Sequence, residues 1–217
     1  MSTKPFVLII EDHPLYKQAL ESLMRLSFPN AQVASCSTAD DAFAFISQQD
    51  AASVRTSVVL LDLSLPGLSG LELIDRLHTD HEQMQIVVVS GSDDPLRVGA
   101  CLGAGVQAFV SKSTPPDRIV ELIGRALRER LNEQSWLTSE GPRSLDGLQR
   151  VHLTSRQVEV LSLICQGMTN RQIADELQII EATTKAHVSA IFKELGVVSR
   201  TQALLAAQRL GFKEQQG

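Results

Sequence analysis

At 217 residues the chain is long enough for one large domain or two ordinary ones, and with 43% hydrophobic residues it can build a core, which excludes a broadly disordered protein. Aromatic residues make up only 4%, which disfavours an aromatic-lined ligand pocket or a base-stacking platform. The net charge of −5 sits at the front: residues 1–131 hold 11 Lys/Arg against 16 Asp/Glu, and residues 151–217 hold 7 against 6. Charge alone therefore does not mark a nucleic-acid binder.

No apolar stretch approaches the ~18–20 residues of a membrane span. The first twenty residues show no signal-peptide pattern, so the expected compartment is the cytoplasm. Cys36, Cys101 and Cys165 are widely spaced and outside any C-x-x-C arrangement, which argues against a zinc site or a disulfide framework.

In chain order, strand-like apolar runs alternate with helix-like segments. Phe6 to Ile10 is a strand running into Glu11-Asp12, and Leu15, Ala19, Leu20, Leu23 and Leu26 then recur at helical spacing. A short edge strand at Val33–Cys36 and a helix at Ala39–Gln48 follow. Val58 to Leu61 is fully apolar, ends in Asp62 and is turned by Pro66-Gly67, the pattern of a buried central strand in a parallel sheet. Next come a helix at Leu68–Leu77, a strand at Val87–Ser90 and a helix at Pro95–Leu102 that Gly103-Ala104-Gly105 ends. A strand at Val106–Val110, followed by Ser111-Lys112, and a helix at Pro116–Arg130 close this half. Such alternation predicts an α/β doubly wound domain with a five-stranded parallel sheet over residues 1–130.

Residues 131–150, with Gly141-Pro142 and Gly147, read as a linker. From 151 to 217 the pattern is purely helical. Thr154-Ser155 caps a helix to about Cys165, Thr169-Asn170 a second to Leu177, and helices at Glu181–Leu195 and Thr201–Leu210 follow. Two short helices joined by a tight turn inside a four-helix packet suggest a helix-turn-helix.

In an open parallel sheet the chemistry gathers at the carboxyl ends of the strands. Four strands here deliver Glu11-Asp12, Asp62, Ser90 and Lys112 to that edge. Three crowded carboxylates call for a cation, and Mg²⁺ with oxygen ligands suits them. A carboxylate beside Mg²⁺ is a competent nucleophile toward phosphorus; Lys112 supplies a point charge for phosphoryl oxygens and Ser90 a hydrogen bond. The set suits forming an aspartyl phosphate rather than acid–base hydrolysis.

These residues, with the sequence Phe109-Val110-Ser111-Lys112, resemble the receiver domain of bacterial two-component response regulators over roughly Lys4 to Arg128. The resemblance implies a flavodoxin-like receiver in which Asp62 accepts phosphate from the phosphohistidine of a sensor histidine kinase. Glu11, Asp12, Asp62 and the Ser64 backbone carbonyl would hold Mg²⁺. Ser90 and Phe109 would form the switch, Phe109 standing where the family commonly has tyrosine. Ser113 and Pro115 depart from the usual proline directly after the lysine.

Leu153-Thr154-Ser155-Arg156-Gln157, Gly167-Met168-Thr169-Asn170-Arg171-Gln172-Ile173-Ala174 and Thr183-Thr184-Lys185-Ala186-His187-Val188 resemble the LuxR-type helix-turn-helix, in order. Together the two halves are similar to the NarL/FixJ class of transcriptional regulators. The resemblance places Lys185, Ala186 and Ser189 toward base edges, and Thr183, His187 and Lys193 would touch phosphates. Ile180 stands where the family usually has a capping serine, and Thr184 where it has valine.

The expectation is a DNA-binding regulator, not an enzyme, which dimerises on phosphorylation, binds two half-sites and is capable of catalysing its own dephosphorylation. One alternative is the same architecture gated by a ligand or partner. Another is a phosphatase or phosphotransferase working through an aspartyl phosphate, against which Ser64 counts, because haloacid-dehalogenase-like enzymes carry a second Asp there.

Overall fold

The computed structural model describes residues 4–66, 69–128, 131, 133–145, 151–210 and 212. The expected turn residue Gly67, helix start Leu68, helix end Arg130, and Asn132 and Gly147 of the expected linker lie outside them.

The sheet is organised on four central strands that are mostly apolar. β1 (Phe6–Ile10), β3 (Val58–Leu61), β4 (Gln85–Ser90) and β5 (Ala108–Ser111) are buried at every position, as parallel strands covered on both faces must be. β2 (Gln32–Cys36) pairs with the outer side of β1. One face carries Val7, Ile9, Val58, Leu60, Val87, Val89, Ala108 and Val110 against α1 (Pro14–Ser27) and α6 (Pro116–Arg128). The alternate residues, including Leu8, Ile10, Val59, Leu61, Val88 and Phe109, meet α2 (Ala39–Ser47), α4 (Gly70–Asp80) and α5 (Pro95–Gly103).

The sheet has seven strands, not the expected five, in the order β2-β1-β3-β4-β5-β6-β7. The additional pair, β6 (Ser135–Thr138) and β7 (Gly141–Arg143), comes from the stretch read as linker. β6 runs parallel to β5 and β7 returns antiparallel through a turn at Gly141, whose φ of 116° suits glycine. Polar groups on the free edge of β5 thus find partners, and Trp136 stands beside Phe109 in register. A five-residue helix, α3 (Ala51–Arg55), was also not expected; Asp50 caps it by accepting from Ala52 and Ser53.

The helical part follows its caps. Capping boxes at Thr154/Gln157 and Thr169/Gln172 start α7 (Ser155–Cys165) and α8 (Asn170–Glu176). α9 (Glu181–Glu194) starts at Ile180 with no side-chain cap, as Ile180 dictates, and Ser199 caps α10 (Arg200–Arg209). Arg200 ties this packet together by donating to the carbonyls of Ile164 and Met168.

The helical part docks on the face of the sheet domain formed by α4 and α5. α4 meets α7, α5 meets α10, and Leu71, Ala100, Val151, Leu153 and Val158 share one apolar cluster. Among the described residues no helix is long and apolar enough to cross a membrane.

Candidate functional site

Each acidic residue sits where its strand stops. Asp62 follows β3 directly, and its amide donates to the carbonyl of Ile10 at 2.9 Å, so the ends of β1 and β3 lie side by side. Glu11 and Asp62 are buried, at 1% and 3% exposure, whereas Asp12 faces solvent. Ligand oxygens of Glu11, Asp12 and Asp62 all lie within 4.8 Å of one another. A hard divalent cation fits that oxygen set, with water reaching it past Asp12. The Ser64 amide donates to Asp62 Oδ1 at 3.1 Å, which folds the loop after β3 back over the aspartate.

Lys112 follows β5 and bridges the two buried carboxylates, 2.6 Å from Glu11 Oε2 and 2.9 Å from Asp62 Oδ2. Burial alone would lower its pKa, but the hydrogen bonds to Glu11 and Asp62 and the charges of both carboxylates together outweigh it and hold the ammonium above its ordinary value. Burial raises the Glu11 carboxyl; the Lys112 hydrogen bond opposes this and the Asp62 charge adds to it.

Tyr16, one turn into α1, lays its ring 4.6 Å from the Lys112 ammonium. Burial, with the charges of Glu11 and Asp62, pushes its phenol up to about 12, so the ring is neutral packing over the cation.

Ser90 ends β4 and is fully buried. Its hydroxyl accepts from the Ser92 amide at 3.3 Å and from Arg97 Nη1 at 3.4 Å. Phe109 is also fully buried, on the opposite side of β5 from Val110 and next to Trp136. Sequence reasoning brought Glu11, Asp12, Asp62, Ser90 and Lys112 to one edge, and the structure places them together there. It missed Tyr16 and Arg97. An aromatic residue one turn after the acidic pair was the available signal for Tyr16; nothing local marked Arg97.

The second candidate region is α8, the turn and α9. Gln178 takes a φ of 54° in the turn, and the Ile179 amide donates to Ala174 at 2.9 Å. Arg156 donates to the Leu177 carbonyl at 2.9 Å, fixing the turn to α7. On α9, Ile191 and Thr184 point into the packet, while Lys185, Ala186, Ser189 and Lys193 are exposed. Spacings of four residues put Lys185, Ser189 and Lys193 on one stripe, with Ala186 beside it. Thr183 and His187 lie together on one side of it, beyond Ala186, half-buried. Lys185 is paired with Glu181 at 2.8 Å, and its hydrogen bond holds the Glu181 carboxyl below the ordinary value. The docked sheet domain leaves this stripe open.

Residues 7–124 match the family model described as response regulator receiver domain, and residues 151–207 that of the luxR family of bacterial regulatory proteins. The chain belongs to the two-component response regulators of the NarL/FixJ class. The regulator is 31% identical to the glycerol metabolism activator of Pseudomonas putida, over 95% of this chain and 96% of that one. It is 30% identical to the nitrate/nitrite response regulator protein NarP of Escherichia coli K12, over 93% and 94%. Its fold is shared with RcsB from Salmonella enterica serovar Typhimurium bound to promoter rprA in the presence of phosphomimetic BeF3-. That likeness has a TM-score of 0.59 at 19% identity, covering 94% of this chain and 98% of that one.

Proposed function

We propose that this response regulator is a cytoplasmic transcription factor switched by phosphorylation of Asp62. The observation that carries the reading is the buried Asp62 carboxylate held among Glu11, Asp12 and Lys112 at the sheet edge. An Asp62 oxygen attacks the phosphorus of a kinase phosphohistidine. The P–N bond breaks, and the imidazole nitrogen keeps the electron pair and takes up a proton. Lys112 then shifts its hydrogen bond from Asp62 to a phosphoryl oxygen, and the Ser90 hydroxyl donates to another. Phe109 follows Ser90 by repacking against Trp136. Mg²⁺ would be held by Glu11, Asp12, Asp62 and the Ser64 backbone carbonyl, and it supplies charge neutralisation for the transferring group. Asp12, exposed beside the pocket, gives water a route for the regulator's own slow dephosphorylation.

The receiver spans residues 1–130 and the DNA-binding domain residues 151–217, joined by the 131–150 segment that carries β6 and β7. α9 enters the major groove of double-stranded DNA. Lys185, Ala186 and Ser189 meet base edges, and Thr183, His187 and Lys193 meet phosphates. Ala186 and Ser189 are small, so affinity rests more on phosphate contacts and on a phosphorylation-driven homodimer spanning two half-sites.

The test is intact mass after treatment with acetyl phosphate and Mg²⁺, on wild type and Asp62→Asn, followed by sizing. One phosphoryl mass on wild type only, with a shift to dimer, is expected. An adduct without a dimer removes the dimer from the mechanism. No adduct, under conditions that label a control receiver, overturns phosphorylation control in favour of gating by a ligand or partner.

A further inference from the structure

A guanidinium is out of place where Arg97 lies. The residue is 8% exposed, three positions after the α5 N-cap Asp94, whose Oδ1 accepts from the Leu96 and Arg97 backbone amides. Among the described residues no carboxylate lies within ion-pair distance of its side chain. Its Nε has no hydrogen-bond partner among the described residues. Among the described residues its one side-chain hydrogen bond is a long one, from Nη1 to Ser90 Oγ at 3.4 Å. A buried cation with no directly paired carboxylate is costly, and an anion arriving beside it would relieve that cost. The hydroxyl it touches is the one assigned above to the phosphoryl group.

We propose that Arg97 is a ligand of the phosphoryl group on Asp62, a second cation converging on it from α5 while Lys112 converges from β5. This rests on the aspartyl-phosphate reading of the pocket. In the unmodified protein Arg97 steadies Ser90. Once Asp62 carries a dianionic phosphoryl group, Ser90 donates to one oxygen and Arg97 to another, so the guanidinium gains the anion it lacks. Burial holds its pKa below the ordinary value, opposed by the weaker pull of Cys101, Asp62 and Asp94, so Asp62 is one of the charges Arg97 already feels.

The test titrates full-length wild type, Arg97→Gln and Arg97→Lys with Mg²⁺ alone and then with beryllium fluoride in saturating Mg²⁺, following calorimetric heat. Loss of one charge-assisted hydrogen bond predicts about ten- to hundredfold weaker beryllium fluoride binding in Arg97→Gln. Mg²⁺ binding should be equal or tighter, because a cation has left the neighbourhood of three carboxylates. Arg97→Lys should recover part of the loss, and it also serves if Arg97→Gln folds poorly. Equal beryllium fluoride affinity in wild type and both variants overturns the proposal. Parallel weakening of Mg²⁺ and beryllium fluoride also overturns it, since that is what a merely structural arginine would give. No response in wild type itself overturns the phosphoryl pocket, and the role of Arg97 with it.

Discussion

Gly103→Ala separates the docking of the two domains from the folding of either. Gly103 is the last residue of α5, and a Cβ there would lie 2.7 Å from the Val151 carbonyl oxygen and 3.3 Å from its carbon. Cβ contacts essentially never fall below 3.0 Å, and the atoms in the way are backbone. The Val151 segment must therefore withdraw, at an overpacking cost of about 1–3 kcal/mol. Within the receiver the change runs the other way, since alanine favours the helix over glycine by up to about 1 kcal/mol. A penalty confined to the interface moves the ratio of docked to undocked molecules by about five- to 150-fold, and interfaces between domains of one chain are commonly small enough for that to matter. Small-angle X-ray scattering should show a larger radius of gyration, and calorimetry should resolve separate transitions, with the receiver's no lower than before. Gly91→Ala is the control, because a Cβ there meets nothing within 4 Å. A Gly103→Ala protein with unchanged scattering and a single transition would refute the docking described.

Two substitutions in the DNA-binding half should raise stability. Thr184 is fully buried with no partner for its hydroxyl among the described residues, so Thr184→Val should add about 1–2 kcal/mol in urea melts; an unchanged midpoint would mean the hydroxyl is satisfied. Ile180→Ser gives α9 the side-chain cap it lacks and removes a 70% exposed apolar residue, for a gain of about 0.5–2 kcal/mol by the same melts; a loss would show that Ile180 is held by packing instead. On DNA, Lys185→Ala should cost about 1–3 kcal/mol at one base position of the operator and relax the preference there. Lys193→Ala should weaken binding evenly across sequences and reduce the salt slope by about 1. Band-shift titrations on operator variants at several salt concentrations distinguish the two, and the reverse assignment would place Lys193, not Lys185, in the groove.

The acidic pocket was legible in the sequence for a geometric reason. Strands covered on both faces are apolar throughout, so the first charged residue after each run marks where the strand emerges, and parallel strands all emerge at the same edge. Glu11, Asp62 and Lys112 could thus be placed together from order alone, with Ser90 as the polar residue that closes β4. β6 was not legible. Ser135 to Thr138 is four residues with two adjacent large apolar side chains, Trp136 and Leu137, too short for a period to show, and its strand character comes from pairing with β5. The same holds for α3, where only Asp50 signalled a start.

Arg97 and Gly103 were hidden for a different reason. Both lie on α5, where local pattern explains each completely: an arginine in the first turn and a glycine at the end of a helix. What gives them consequence is what α5 touches, Ser90 of β4 at one end and Val151 at the other. A sheet edge repeats one spatial relation four times, so strand order stands in for distance. A helix packed between two domains has no such repetition, and each of its contacts is a separate tertiary fact. That is why the groups proposed to perform the chemistry can be read from the chain, while the helix that spans from their pocket to the DNA-binding half has to be seen folded.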